Sequence, residues 1–206
     1  MGRRLSAELL RRGHTVLALV RPGSEGRAAA GAEIVAADPF DPTSYAPRLA
    51  GCDTYVQLIG VAHPSPAKAG QFRSVDLASA KAAVEAARGA GVRHFVYVSV
   101  AHPAPVMRDY IAARTEAETL IRAAGLNATI LRPWYVLGPG RRWPLLLVPM
   151  YGLLGAIPAT RASARRLGLV TIEQIVAALA DAVEHPADGI RVLEVPQIRA
   201  ALWSTP

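Results

Sequence analysis

Cysteine is nearly missing from this 206-residue chain. Cys52 stands alone, so no internal disulfide can staple the fold, and a reducing, cytoplasmic compartment is the simplest setting. Aromatics make up only 6% of the residues, and none interleave the basic pairs Arg3-Arg4, Arg11-Arg12, Arg141-Arg142 and Arg165-Arg166. Without a recognisable DNA-binding module either, the net charge of +7 reads as a solvated basic surface, and nucleic acid is not an expected partner. No signal peptide is evident, because Glu8 and Arg11-Arg12 interrupt the first apolar segment. The strongly apolar stretch Trp143 to Pro158 is too short and too broken by proline to span a bilayer. It reads as core, with a substrate lid, a subunit interface or a peripheral membrane contact as the alternatives.

What is present suits one globular domain over residues 1–206, with 51% hydrophobic and 19% charged residues. Apolar runs of strand length alternate with helical patterns, which argues for α/β layers rather than a bundle. Arg4 to Arg12 reads as a helix with Leu5, Leu9 and Leu10 toward the core, ended by Gly13. Strands are expected at His14–Val20, Glu33–Ala37, Thr54–Leu58, Phe95–Ser99, Asn127–Leu131, Leu167–Thr171 and Arg191–Val195. Helices are expected at Ser74–Arg88, Asp109–Ala124 and Ile172–Glu184, and Asp41 with Pro42 marks a further helix start.

Three residues carry the chemistry. Ser99 closes the buried run Phe95-Val96-Tyr97-Val98-Ser99, which puts a hydroxyl at the carboxyl end of a central strand. Tyr110 and Arg114 are four apart on a helix, so they share one face. A free phenol ionises near pH ~10, and using it as acid and base near neutrality calls for a positive charge beside it. A serine across the cleft can then hold a carbonyl or hydroxyl of the substrate.

A serine followed by Tyr-x-x-x-Lys is the pattern of short-chain dehydrogenases/reductases, and the chain resembles an atypical member of that family, with Arg114 in the lysine position. The segments Leu19-Val20-Arg21, Tyr97-Val98-Ser99 and Leu131-Arg132-Pro133-Trp134-Tyr135-Val136-Leu137-Gly138-Pro139-Gly140 are similar to NAD(P)H-binding, NmrA-like proteins and to the nucleotide-binding accessory subunit of respiratory complex I. The resemblance implies a Rossmann-like, doubly wound parallel sheet in which residues 134–206 form the substrate side. It implies catalytic roles for Ser99, Tyr110 and Arg114, with Tyr110 and Arg114 also at the cofactor. Arginine is a bulkier, planar fork compared with lysine, so the geometry around it is expected to differ.

A Rossmann unit should open on a strand and a Gly-x-Gly-x-x-Gly turn whose amides hold the cofactor pyrophosphate. Only the last of those glycines, Gly2, is here, and the expectation is an amino-terminally truncated sequence lacking its first strand and most of the Gly-rich loop. Arg21 follows the next strand, where an arginine suits the 2′-phosphate of NADP, or is a plain turn residue of Arg21-Pro22-Gly23. NADP(H) is therefore preferred and NAD(H) is the alternative. By resemblance Asp38 lies near the adenine, Pro133 borders the nicotinamide, and Trp134 and Tyr135 approach the substrate. Gly60, Val61 and Ala62 begin the loop at the carboxyl end of a strand, where ligands of such sheets bind.

Two near copies, Val61-Ala62-His63-Pro64-Ser65-Pro66 and Val100-Ala101-His102-Pro103-Ala104-Pro105, each follow a strand end. His63 and His102 are candidate substrate contacts or a proton relay, or solvent-facing residues of two proline-stiffened turns. Without a third ligand they make a poor metal site, and no metal is expected. The functional expectation is an NADP(H)-dependent oxidoreductase with an unknown small-molecule substrate. The alternative is a non-catalytic nucleotide-binding sensor or assembly subunit.

Overall fold

The computed structural model describes residues 1–104, 106–138 and 166–201. Helix α1 (Gly2–Arg11) leads through Gly13, at φ +86°, into strand β1 (Leu17–Val20), which pairs in parallel with β2 (Glu33–Ala36). Then follow β3 (Thr54–Gln57), a short helix α2 (Ala69–Gln71) continuing as a π-helical segment over Phe72–Leu77, and α3 (Ala78–Gly89). Strand β4 (His94–Val98), helix α4 (Arg108–Ala123) and β5 (Ala128–Arg132) form the next unit. The short strands β6 (Tyr135–Leu137) and β7 (Leu169–Thr171) pair with each other, and α5 (Ile172–Glu184), β8 (Ile190–Glu194) and α6 (Val195–Ala200) complete the described chain.

Four strands form one parallel sheet in the order β3-β4-β5-β8, and side chains alternate between its faces. Phe95, Tyr97 and Ile130 join Ala80, Ala83, Ala113, Ala117 and Ile121 in a core under α3 and α4. Val96 and Leu131 join Leu5, Leu9, Ile175 and Leu179 in a second core under α1 and α5. Helices on both faces explain why the central strands read as unbroken apolar runs. Alanines on α3 and α4 let those helices lie close to the sheet.

The doubly wound parallel sheet expected from the sequence is present, with most ends displaced by one residue and β1 three residues shorter than its apolar run. The pair β1-β2 shares no ladder with β3, so the sheet is divided by a gap. The stretch Trp143 to Pro158 lies outside the described residues. Among the described residues no helix is long and apolar enough to cross a membrane.

Candidate functional site

Tyr110 sits in the first turn of α4, with Arg114 one turn on. The Arg114 guanidinium carbon lies 5.3 Å from the Tyr110 ring centre and 5.6 Å from that of Tyr97 on β4. Phe72 tilts against Tyr110 at 5.0 Å. The expected Tyr110–Arg114 face is therefore formed, but it turns inward: Arg114 is only 5% exposed.

The pairing of that buried cation accounts for the surrounding geometry. Arg114 Nη2 lies 2.6 Å from Oδ1 of Asp76, a fully buried residue of the π-helical segment. Arg114 Nη1 donates to the Val98 carbonyl at 2.7 Å and to the Tyr97 hydroxyl at 3.4 Å. Asp76 Oδ2 accepts the Val61 amide at 3.0 Å, which ties the loop after β3 to the same pair. The Asp76–Arg114 contact is an ion pair rather than an aligned hydrogen bond, because among the described residues Asp76 Oδ1 and Arg114 Nε have no partner in hydrogen-bonding geometry. Burial opposes the charge on Arg114, but Tyr110, Tyr97 and Asp76 outweigh it and raise its pKa above the ordinary value. Burial likewise pushes the Tyr97 phenol up to about 12, against the lowering effect of Arg114.

Ser99 follows the end of β4 and is 2% exposed. Its hydroxyl donates to Glu118 Oε1 at 2.6 Å. Glu118, one further turn along α4 from Arg114, also receives Arg132 Nε at 3.0 Å and Nη2 at 2.5 Å. Arg132 Nη1 continues to Glu194 at 3.0 Å. Burial would raise the Glu118 pKa, but hydrogen bonds from Arg132 and Ser99 outweigh it and hold the carboxyl below its ordinary value. Since a hydroxyl has one proton and Ser99 gives it to Glu118, what Ser99 offers a ligand in this arrangement is an acceptor lone pair.

The two histidines differ in surroundings. His102 Nε2 is buried and lies 3.6 Å from Glu118 Oε1, whereas His63 is exposed in the left-handed region at φ +53°. Ala62 is exposed, and its carbonyl accepts the Lys68 ammonium at 2.6 Å. Arg21 is exposed immediately after β1. Asp38 is exposed after β2, its Oδ1 accepting the Phe40 amide at 2.9 Å. Gly2 opens α1 beside Leu58, just beyond β3. Pro133 is buried, with its carbonyl accepting the Ala101 amide at 2.9 Å. Trp134 and Tyr135 meet edge to face at 5.6 Å, and Trp134 packs against the second core. Among the described residues no group of three His, Cys, Asp or Glu could hold a metal.

Asp76, Glu118 and the Arg132 link were not singled out as site residues from sequence. Tyr110, Arg114 and Glu118 follow one another at four-residue spacing, so Glu118 was findable as the next residue on that face. Asp76 carried no such signal.

Residues 1–142 match a family model described as NAD(P)H-binding. The chain is 27% identical over 167 residues to a ceramide reductase of Caulobacter vibrioides, covering 81% of this chain and 51% of that protein. It is 34% identical over 131 residues to an uncharacterized sugar epimerase of Bacillus subtilis, covering 58% of this chain and 59% of that one. It thus spans about half the length of the curated relatives it matches. A short-chain dehydrogenase/reductase superfamily protein of Agrobacterium tumefaciens with bound NAD superposes with a TM-score of 0.66 at 20% identity, over 97% of this chain and 79% of that one. MoeE5 in complex with UDP-glucuronic acid and NAD gives a TM-score of 0.68 at 20% identity, over 93% and 71%. At such identities these two structures bear on the fold alone, a Rossmann-type parallel sheet.

Proposed function

The chain belongs to the NAD(P)H-binding family, and from that premise we propose that it is part of an NADP(H)-dependent oxidoreductase of the atypical short-chain dehydrogenase type. The observation that carries the reading is the gathering of Tyr110, Arg114 and the Val61 amide at the carboxyl ends of β3 and β4, where parallel sheets of this kind take their ligands. A bound nicotinamide would supply the hydride. Tyr110 then exchanges the proton with the substrate oxygen, so that a carbonyl plus hydride plus proton gives an alcohol, or the reverse.

The described residues fit the two ends of such a cofactor. Arg21 is an exposed cation available to a 2′-phosphate, which favours NADP(H) over NAD(H), while the family resemblance would put Tyr110 and Pro133 at the nicotinamide side. Of the glycines of a pyrophosphate turn, Gly2 is the one the sequence carries, at the start of α1. The ceramide reductase relative supports a reduction on an apolar substrate, and the sugar epimerase relative leaves a sugar as the other substrate class. Cys52, a single cysteine, supports a reducing, cytoplasmic setting.

A non-catalytic nucleotide sensor or assembly subunit is the second reading, favoured by one feature: Arg114 is spent on Asp76 and the Val98 carbonyl, which leaves it poorly placed to hold a ribose. Titration calorimetry with NADPH and NADH, on this chain and on a version extended upstream, tests the nucleotide reading. Tighter binding of NADPH is expected, and no binding of either nucleotide by either version would overturn it. NADPH turnover with ketone and aldehyde panels, reduced about a hundredfold or more by Tyr110→Phe, is the result the enzyme predicts. Retained binding with no turnover in any form would favour the sensor.

A further inference from the structure

We infer that Ser99 receives a hydroxyl of the substrate other than the oxygen being oxidised or reduced, and that Glu118 is the positioning residue that sets this polarity. The substrate class is then an α-hydroxy ketone or the matching diol. The inference rests on the oxidoreductase reading given above.

The Ser99 backbone is fixed at the end of the β4–β5 pairing, where its amide donates to the Leu131 carbonyl at 2.7 Å. Its hydroxyl donates to Glu118 Oε1 at 2.6 Å. Glu118 is 2% exposed, and its carboxylate cannot turn away, because Arg132 grips both oxygens, Nε on Oε1 at 3.0 Å and Nη2 on Oε2 at 2.5 Å. Arg132 is held in turn by Glu194 at 3.0 Å. His102 Nε2, 3.6 Å from Glu118 Oε1, is beyond hydrogen-bond distance and does not compete with Ser99. A hydroxyl donated to an ionised carboxylate forms a charge-assisted bond. Turning the Ser99 proton toward a ligand carbonyl would exchange that bond for a weaker, neutral one. Donation to Glu118 also polarises the serine oxygen and makes it a better acceptor.

Counting protons decides what fits there. A carbonyl has no proton to give Ser99, and its lone pairs would face those of the serine. An alcohol being oxidised gives its one proton to Tyr110 and keeps none for Ser99. In neither direction is the reacting oxygen a partner for Ser99, so the group that fits is a second hydroxyl, which donates to Ser99 and is left unchanged by the reaction. Arg114 sets the two residues beside each other: Nη1 takes the carbonyl of Val98, adjacent to Ser99, and the guanidinium carbon lies 5.3 Å from the Tyr110 ring centre. A ligand that meets both therefore carries its second hydroxyl next to the reacting carbon.

The test has two arms. Difference infrared spectra of the parent chain against Glu118→Gln, without substrate and at about pH 7, show whether Glu118 is ionised. Loss of a carboxylate band is expected, and loss of a carboxylic-acid band would overturn the inference whether or not the protein is an enzyme. The second arm compares NADPH turnover of α-hydroxy ketones, on a phenyl and on a long-chain alkyl skeleton, with that of their methyl ethers, which accept but cannot donate. The expected kcat/KM favours the hydroxy ketone over its ether by roughly tenfold. That ratio should fall to near unity in Ser99→Ala, which deletes the acceptor, and in Glu118→Ala, which frees the Ser99 proton for a carbonyl. A general structural weakening would lower both rates and leave the ratio in place. Should Glu118→Ala not fold, Ser99→Ala decides. No turnover of any ketone would count against the oxidoreductase reading, and the same ratio is then read from binding of the probes by titration calorimetry. Equal preference for the two probes in the parent, binding of neither, or a ratio unchanged by Ser99→Ala would each overturn the inference.

Discussion

A methyl group on Gly60 would overlap the Arg114 guanidinium and come within 2.9 Å of Asp76 Oδ1. Neither atom can retreat cheaply, since Arg114 also serves the Val98 carbonyl and Asp76 also holds the Val61 amide. Gly60→Ala should therefore destabilise the fold by about 1–3 kcal/mol in urea titrations, and loosen the rim loop at the expected cofactor edge. The same cluster shows what single-sequence reasoning reaches. The four-residue spacing of Tyr110 and Arg114 puts them on one helical face, but whether that face meets solvent or core depends on a carboxylate from another helix. His94 illustrates a different gap: it is 1% exposed, and its Nδ1 has no hydrogen-bond partner among the described residues. Burial, with the nearby Arg191 charge, lowers its pKa from 6.5 to about 4. Between those values the unfolded chain binds the proton and the folded chain does not, so stability falls as pH drops from about 6.5 to about 4 and the loss is complete below that. The full effect is on the order of 3 kcal/mol. His94→Gln should lose distinctly less stability than the parent when urea melts at about pH 7 and pH 4.5 are compared, and equal losses would remove His94 from the account.

Elements with strong periodicity were legible and those defined by distant partners were not. Helix α5 occupies the expected Ile172–Glu184 because Ile175, Leu179 and their neighbours form a stripe at helical spacing. Its start is fixed by a capping box in which the Thr171 hydroxyl accepts the Gln174 amide at 3.2 Å and the Gln174 side chain accepts the Thr171 amide at 2.9 Å. Thr171→Ala should cost about 1 kcal/mol in thermal or urea unfolding, with no change in nucleotide binding. The segment Phe72–Leu77 continues the Ser74–Arg88 helical pattern in sequence but winds as a π-helix. Apolar spacing does not report that change of pitch, and the buried Asp76 comes from this segment. Strand β6 has three residues, too few for an alternation to register, whereas β7 lies within the expected Leu167–Thr171; their pairing, which brings together positions more than thirty residues apart, carried no sequence signal.

At the scale of the molecule, the layered architecture could be read because apolar strands alternate with small-residue helices over most of the chain. The long-range ion pairs could not be read, since they join side chains brought together only by the completed fold: Arg132 with Glu118 and Glu194, and Arg12 with Glu184, whereas Arg12 with Glu8 is a helical i,i+4 pair that spacing alone allows. The divided sheet has a further bearing on how the protein comes apart. With no ladder between β1 and β3, one corner of the molecule, β1 and β2, is coupled to the centre by side-chain packing and by the α1 to α5 ion pairs rather than by backbone pairing. Such a corner can open as a unit of its own while β4 and β5 stay closed. Cooperativity is thus not spread evenly: the half of the protein carrying Tyr110 and Arg114 can outlast the half carrying Arg21 and Asp38.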